Sequence, residues 1–222
     1  MAAGPNIEDR LRQSTGERDI LKIIGVTQKV IVDTSTHERL DCLDQRWSQL
    51  LTVCGLTLLP LPNDTKQSQK LIMETPLGGI LFTGGNNLTN CGGDAPERDK
   101  VEKMLFNYAT RNNLPLMGIC RGMQFIQQQY GATLQTIDGH VRTTHQISIG
   151  GKNEKINSYH RWGTTEPTTG LAVMARAEDG IIEAVRHVTR PIIGVMWHPE
   201  RYHPFLERDV KLITESFTNT RK

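Results

Sequence analysis

The sequence predicts an α/β protein built on a doubly wound, mostly parallel sheet with an antiparallel extension. Three observations carry this expectation. Continuous β-branched runs alternate with amphipathic segments from residue 20 to about residue 131, the pattern of buried parallel strands and their crossover helices. Glycines gather where two of the apolar runs end, at Gly84-Gly85 and around Gly118 and Gly122, where open α/β sheets place their sites. Between residues 139 and 200 the helical segments give way to short extended pieces joined by turns, which calls for antiparallel strands.

Composition bounds the context. A chain of 222 residues can bury a sizeable core as one large domain. An apolar fraction of 37% and a formal charge of +2 exclude bulk disorder and a strongly basic nucleic-acid binder. No apolar run approaches the roughly 18–20 residues that span a bilayer, and the N-terminal MAAGPNIEDRLRQSTGERD lacks the apolar core of a signal peptide. A cytoplasmic protein without a membrane partner is therefore expected. Cys42, Cys54, Cys91 and Cys120 show neither CxxC spacing nor the density of a disulfide scaffold, so reduced thiols are expected.

Residues 1–19 are polar and aperiodic and are expected as a mobile tail ahead of a single domain over 20–222. The run ILKIIGVTQKVIV over 20–32 predicts one strand covered on both faces. A helix is expected next, because Leu40, Leu43, Trp47, Leu50 and Leu51 fall at helical spacing before Gly55. Strand 56–62, helix 65–74, strand 78–85 and helix 97–113 follow in alternation. A buried strand over 114–120 then yields to a helix over 121–131, with Met123, Ile126 and Tyr130 at i, i+3 and i+7. HQISIG, KINSYH, LAVMARA, IIEAVRH and PIIGVMW are the extended pieces of the later region.

The junction Gly118-Ile-Cys120-Arg-Gly122 sets one thiol between two glycines where strand turns into helix. A cysteine attacks as its thiolate, and with an ordinary thiol pKa of about 8.5 the protein must favour the ionised form; a helix N-terminus does so. The glycines permit a strained turn, and the N–H of Arg121 would face the same space as the sulfur. An isolated cysteine at a strand end is ordinarily structural; the flanking glycines at a strand–helix junction favour a nucleophile. In IIGVMWHPER an apolar strand ends in His198, followed by Glu200, so an imidazole base and a carboxylate that orients it are available. FTGGNN ends another strand, and Gly85 there could lend a second N–H to an oxyanion hole.

Taken together, Gly118-Ile-Cys120-Arg-Gly122-Met-Gln124, Gly84-Gly85 and Trp197-His198-Pro199-Glu200 resemble the class I glutamine amidotransferase family over nearly the whole chain from about Ile20. The resemblance implies the flavodoxin-like three-layer α/β/α fold and a Cys120-His198-Glu200 triad. INSYH and AEDGIIEAVRH resemble the peptidase C26 branch, which hydrolyses γ-glutamyl amides through a glutamyl thioester. By that resemblance Gln124 and the segment around Ser158 and Tyr159 would hold the glutamyl head, with His160 near the substrate. A narrower likeness, carried by IGVTQKV, RLDCLDQRW, LLPLPN, GGILFTGGNNL, NSYH and GVMWHPER, is to hydrolases of bacterial capsule biosynthesis that split CDP-linked glutamine into glutamate and cytidine diphosphoramidate. Two departures matter. Asn87 stands where many relatives carry Asp, and NSYHR lacks the His-His-Gln run of the polyamine-pathway hydrolases, which counts against a γ-aminobutyrate-type substrate.

A diphosphate would need cations, and Arg98, Arg121, Arg161, Arg186 and Arg201 lie in or beside these motifs, although any of them could equally be a surface or ion-pair residue. There is no Walker loop or Rossmann fingerprint, so a nucleotide would be recognised as substrate. His140, His145, His160, His187 and His203 fit no HExxH or Cys/His spacing; no catalytic metal and no cofactor are expected, and apart from His160 these are read as surface or hydrogen-bonded structural residues. Trp47 and Trp162 are read as packing residues, Trp162 as one that could also line the pocket. The Gly- and Pro-containing segment 86–99 permits a lid. Three functions follow: a stand-alone γ-glutamyl hydrolase on a small-molecule substrate, with room for a homodimer; a glutaminase subunit that passes ammonia to a partner synthase; and a non-catalytic binding module, against which the intact Cys-His-Glu set argues.

Overall fold

Strands without polar alternation can only be buried on both faces, and the computed structural model, which describes residues 22–218, places them at the centre of one large sheet. The expected tail over 1–19 lies outside the described residues. The parallel half consists of β1 (Lys22–Thr27), β4 (Leu56–Leu61), β5 (Leu77–Phe82), β6 (Leu116–Ile119) and β13 (Ile192–Val195), in the spatial order β4-β1-β5-β6-β13. The antiparallel extension continues outward from β13 through β12 (Ile182–His187), β11 (Leu171–Ala177), β8 (Val141–Ile149) and β9 (Lys152–Tyr159). The expected mixed sheet is present in both halves.

Two apolar layers clothe it. On one face α2 (Thr65–Glu74), α3 (Pro96–Arg111) and α4 (Arg121–Gln129) bring Ile72, Leu105, Phe106, Met123 and Ile126 against Ile80, Phe82 and Leu116. On the other, α1 (Arg46–Val53) and α5 (Glu207–Thr218) bring Trp47, Leu50, Ile213 and Phe217 against Leu81, Met117 and Ile119. Neighbours in β5 and β6 thus alternate between the two cores, as a two-unit side-chain period requires. Each face buries its own cluster, which makes a three-layer sandwich.

The region from 28 to 45 departs from expectation. The run over 20–32 does not form one strand: β1 ends at Thr27, and β2 (Lys29–Val32) pairs with β3 (Arg39–Cys42) in a separate hairpin. The turn is set by Asp33, whose Oδ1 accepts the N–H groups of Ser35 and Thr36 at 2.8 and 3.2 Å. The expected helix shrinks to 46–53, because Asp44 accepts the Arg46 N–H at 3.0 Å and starts it there. Trp47, Leu50 and Leu51 are buried on it, whereas Leu40 lies in β3 with its side chain out. Local turn chemistry overrides a helical spacing that continues by accident through the hairpin.

Segment 86–99 is pinned down. Asn86 donates to the Val30 carbonyl and accepts the Val30 N–H, both at 2.8 Å, tying the hairpin to the loop. Leu88, Cys91 and Ala95 are buried beneath it. Gly93 serves close packing, since a Cβ there would lie 1.9 Å from the Asn87 carbonyl oxygen, whereas Gly92 supplies a φ of +77° in open space.

Candidate active site

The C-terminal ends of β1, β5, β6 and β13 open onto one edge of the sheet, where a doubly wound fold collects its functional groups. Cys120 stands there between β6 and α4 with φ 52° and ψ −109°, a conformation that non-glycine residues seldom adopt. It is held by its N–H donating to the Val195 carbonyl at 2.7 Å and by its carbonyl accepting the Gln124 N–H at 3.0 Å. The flanking glycines allow the turn. A Cβ on Gly118 would lie 2.6 Å from the Gly122 backbone, and one on Gly122 only 2.3 Å from the Phe82 oxygen. The elbow exists because three backbones touch.

His198 follows β13 and is buried. Asn157 grips its backbone from both sides, accepting the His198 N–H at 2.8 Å and donating to the His198 carbonyl at 2.9 Å. The Nδ1 lies 2.7 Å from Glu200 Oε1, so the carboxylate accepts the hydrogen bond from Nδ1–H and turns Nε2 toward the thiol. Burial pulls the His198 pKa down, but the Cys120 charge, its hydrogen bond to the imidazole and the Glu200 carboxylate outweigh burial and raise it to about 9. The arrangement favours an imidazolium beside the thiol. By contrast, burial pushes the Cys54 and Cys91 thiols up, where they remain protonated and inert.

Gly84 and Gly85 border the imidazole. A Cβ on Gly84 would sit 2.7 Å from His198 Cε1, so only glycine admits the ring, and Gly85 has φ +121°. The loop is fixed from beneath by Arg98, which donates to the carbonyls of Gly84 at 3.0 Å and Thr83 at 2.6 Å. Arg98 Nε in turn binds Glu102 at 3.0 Å; Glu102 also accepts the Thr27 hydroxyl at 2.9 Å and one Arg121 nitrogen, and Arg121 reaches Asp99 as well. Arg121 is the first residue of α4, so its N–H has no partner within the helix and stays available beside the sulfur. The backbone N–H groups of Gly85 and Arg121 are thus carried by segments that one buried charge network locks together.

Four of the five candidate arginines take the ion-pair or surface role that the sequence also allowed. The side chains of Arg98 and Arg121 are fully buried in that network and cannot meet a diphosphate. Arg186 is exposed beside Arg190 and Pro191, at the opposite end of the sheet, and Arg161 is exposed as well. Only Arg201 borders the cleft, together with Lys29, Gly84, Gly85, His198 and Glu200. Its guanidinium lies 4.0 Å from the centroid of the Tyr159 ring, which meets the His198 ring edge-on at 5.4 Å. Gln124 donates through Nε2 to the Trp162 carbonyl at 2.8 Å, and the Ser158 hydroxyl donates to the His140 carbonyl at 2.7 Å. Trp162 packs against the core beside α4.

His160 lies in the interior, and its imidazole is taken up by contacts within the protein. It is buried, its Nδ1 donates to the Trp162 carbonyl at 3.1 Å, and its Nε2 lies 3.3 Å from both His140 Nδ1 and Glu183 Oε1. His140 and His145 also converge on Glu183, so histidines that sequence spacing leaves scattered form one cluster. Asn157 and the Arg98–Glu102 pair escape sequence reasoning as site residues. The available signal for the pair is two charges four apart on the helical face that carries Val101 and Leu105.

The chain belongs to the class-I glutamine amidotransferase family, whose profile matches residues 41–217. It is similar to the γ-glutamyl-CDP-amidate hydrolase of Campylobacter jejuni, 28% identical over 200 residues that cover 88% of this chain and 97% of that protein. It is also similar to one of the subunits of the glutamine-hydrolysing GMP synthase of Methanosarcina barkeri, 32% identical over 161 residues, covering 68% and 82% of the two chains. The fold is shared with the crystal structure of a Thermoplasma acidophilum protein described as a GMP synthase subunit. That comparison has a TM-score of 0.65 at 22% identity, and covers 89% of this chain and 96% of the other. Among the described residues no helix is long and apolar enough to cross a membrane.

Proposed function

We propose that this protein is a cysteine-dependent γ-glutamyl hydrolase acting on γ-glutamyl-CDP-amidate and releasing glutamate and cytidine diphosphoramidate for surface-polysaccharide synthesis. The observation that carries the reaction class is the alignment of Cys120, His198 and Glu200 at a strained elbow. In this reading the Cys120 thiolate adds to the γ-carbonyl carbon, and the oxyanion is met by the N–H groups of Gly85 and Arg121. The C–N bond breaks as His198 gives its proton to the leaving nitrogen, leaving a glutamyl thioester. Water, deprotonated by His198, then adds to the thioester, and glutamate departs as the thiol regains its hydrogen. With its Nε2 committed to Trp162, Gln124 offers Oε1 to the substrate's α-ammonium group.

The near end-to-end match to the Campylobacter enzyme favours the nucleotide-linked substrate. Glutamate release measured on CDP-linked glutamine, γ-glutamyl-γ-aminobutyrate and free glutamine tests it, with Cys120→Ala as control. Preference for the CDP compound is expected; preference for either other compound overturns the assignment. The Methanosarcina relative supports a second reading, a glutaminase subunit serving a synthase, which predicts glutamine turnover that rises when the partner is added.

Two further outcomes follow. Arg201 and Lys29 border the cleft, so Arg201→Ala is expected to raise KM for the CDP compound about tenfold while leaving γ-glutamyl compounds without phosphate little changed. Equal losses on both substrate types would remove Arg201 from diphosphate recognition. Protonated His198 must supply the leaving group, and it loses that proton as pH rises through about 9. The acylation rate should therefore fall on that alkaline limb, and a profile that stays flat from about pH 8 to about pH 10 would sink this proton assignment.

A further inference from the structure

We propose that His140, His160 and Glu183 form a structural zinc site, separate from the cysteine centre, that ties the antiparallel extension to the catalytic histidine. The three residues come from different stretches: His140 precedes β8, His160 follows β9, and Glu183 lies in β12. His140 Nδ1, His145 Nε2 and His160 Nε2 lie 3.2, 3.3 and 3.3 Å from the same atom, Glu183 Oε1, and the His140 and His160 nitrogens are 3.3 Å apart. Donors at the corners of a tetrahedron around an ion with bonds of about 2.0–2.1 Å are about 3.3–3.4 Å from one another. The separations among His140, His160 and Glu183 fit, and among the described residues these three alone form the group of mutually close donors; His145 stands beside it.

Proton placement points the same way. The outer nitrogen of His140, Nε2, lies 2.8 Å from Asp179 Oδ2, and the outer nitrogen of His160, Nδ1, lies 3.1 Å from the Trp162 carbonyl. Both partners accept, so both outer nitrogens carry the hydrogen and the two inner nitrogens of the neutral rings present lone pairs. These face each other and a carboxylate with nothing between them to share. Glu183 is fully buried, yet neither of its oxygens accepts a hydrogen bond, and both nitrogens of His145 are likewise unpartnered. A buried carboxylate left in this state is costly. A divalent cation at the point shared by His140, His160 and Glu183 satisfies all three donors, and the contacts of His140 to a carboxylate and His160 to a carbonyl are those that orient metal-bound imidazoles.

Two imidazoles and one carboxylate suit Zn²⁺, with a fourth position left for water; all three ligands are buried and come from separate stretches, so the ion serves to hold them together. Its reach to the catalytic centre is short. The Trp162 carbonyl that receives His160 also receives Gln124, the His140 carbonyl receives Ser158 and the His160 N–H, and Asn157, adjacent to Ser158, holds His198.

The test uses untagged protein, wild type and Cys120→Ser, dialysed free of loose metal, analysed for metal by plasma mass spectrometry and titrated with Zn²⁺ and with Co²⁺. One zinc per chain in both proteins is expected, with an intense visible Co²⁺ spectrum of tetrahedral type. Glu183→Gln should lose the ion. Asp179→Asn keeps an acceptor for the Ile181 N–H at a half-exposed position and should bind zinc about tenfold to a hundredfold more weakly; it and His160→Asn carry the test if Glu183→Gln does not fold. The proposal is overturned if wild type takes up no zinc, if the zinc disappears in Cys120→Ser, or if Asp179→Asn and His160→Asn both retain wild-type affinity.

Discussion

Replacing Cys120 with serine is expected to lower glutamate release by about four orders of magnitude or more while leaving the fold intact. The hydroxyl occupies nearly the same space, but at neutral pH it supplies almost no anion. The effect should also be visible away from turnover. Burial alone would depress the His198 pKa, and the largest influence that reverses it is the charge of Cys120. Without that charge, His198 should titrate well below about 9 when followed by NMR in the serine variant. Serine turnover near the wild-type rate would rule out a thioester. An unchanged His198 titration would show that the thiol is not what holds the proton there. The two readouts separate the chemistry from its electrostatic origin.

The largest stability effect is expected at Glu102. Its carboxylate is fully buried between the guanidinium groups of Arg98 and Arg121 and also accepts the Thr27 hydroxyl. Burial, and then the like charge of Arg121, already lower the Arg98 pKa to about 10, with Glu102 opposing both. Glu102→Gln keeps the shape and removes the charge, leaving two buried cations side by side. A loss of about 3–5 kcal/mol is expected from urea denaturation, the scale for breaking one side of a buried ion pair. Turnover should fall as well, because Arg98 also fixes the Thr83 and Gly84 carbonyls of the loop that borders the His198 ring. The double replacement Arg98→Met, Glu102→Leu should regain part of the stability but not the turnover, since apolar packing can substitute for the charges but not for the hydrogen bonds to the loop. A destabilisation by Glu102→Gln of less than about 1 kcal/mol would show that the network is not a keystone of the fold.

Legibility varies along the chain for identifiable reasons. The parallel half can be read because strands such as β5 and β6 are buried on both faces and their helices keep strict apolar periodicity. The hairpin at 29–42 cannot, because Leu40 and Leu43 prolong a helical spacing that only the Asp33 and Asp44 turns interrupt. The elbow is visible because its cause is local: glycines two residues either side of Cys120 are needed where backbones come within a few ångströms. Arg98 and Arg121 resemble diphosphate ligands in the sequence because a charge beside a motif does not reveal which way its side chain turns.

By itself the sequence determined the layer architecture, the elbow, and the pairing of His198 with Glu200, all of which depend on neighbours within a few residues or on periodic burial. Tertiary structure alone decided the rest. Asn157 reaches His198 across 41 positions, Thr27 reaches Glu102 across 75, and His140, His145, His160 and Glu183 meet only when β8, β9 and β12 are brought into one sheet. The physical reason is that hydrogen-bonding and metal-binding groups act over about 3 Å in space, whereas the turns and strand order that bring them together are set by burial over the whole sheet.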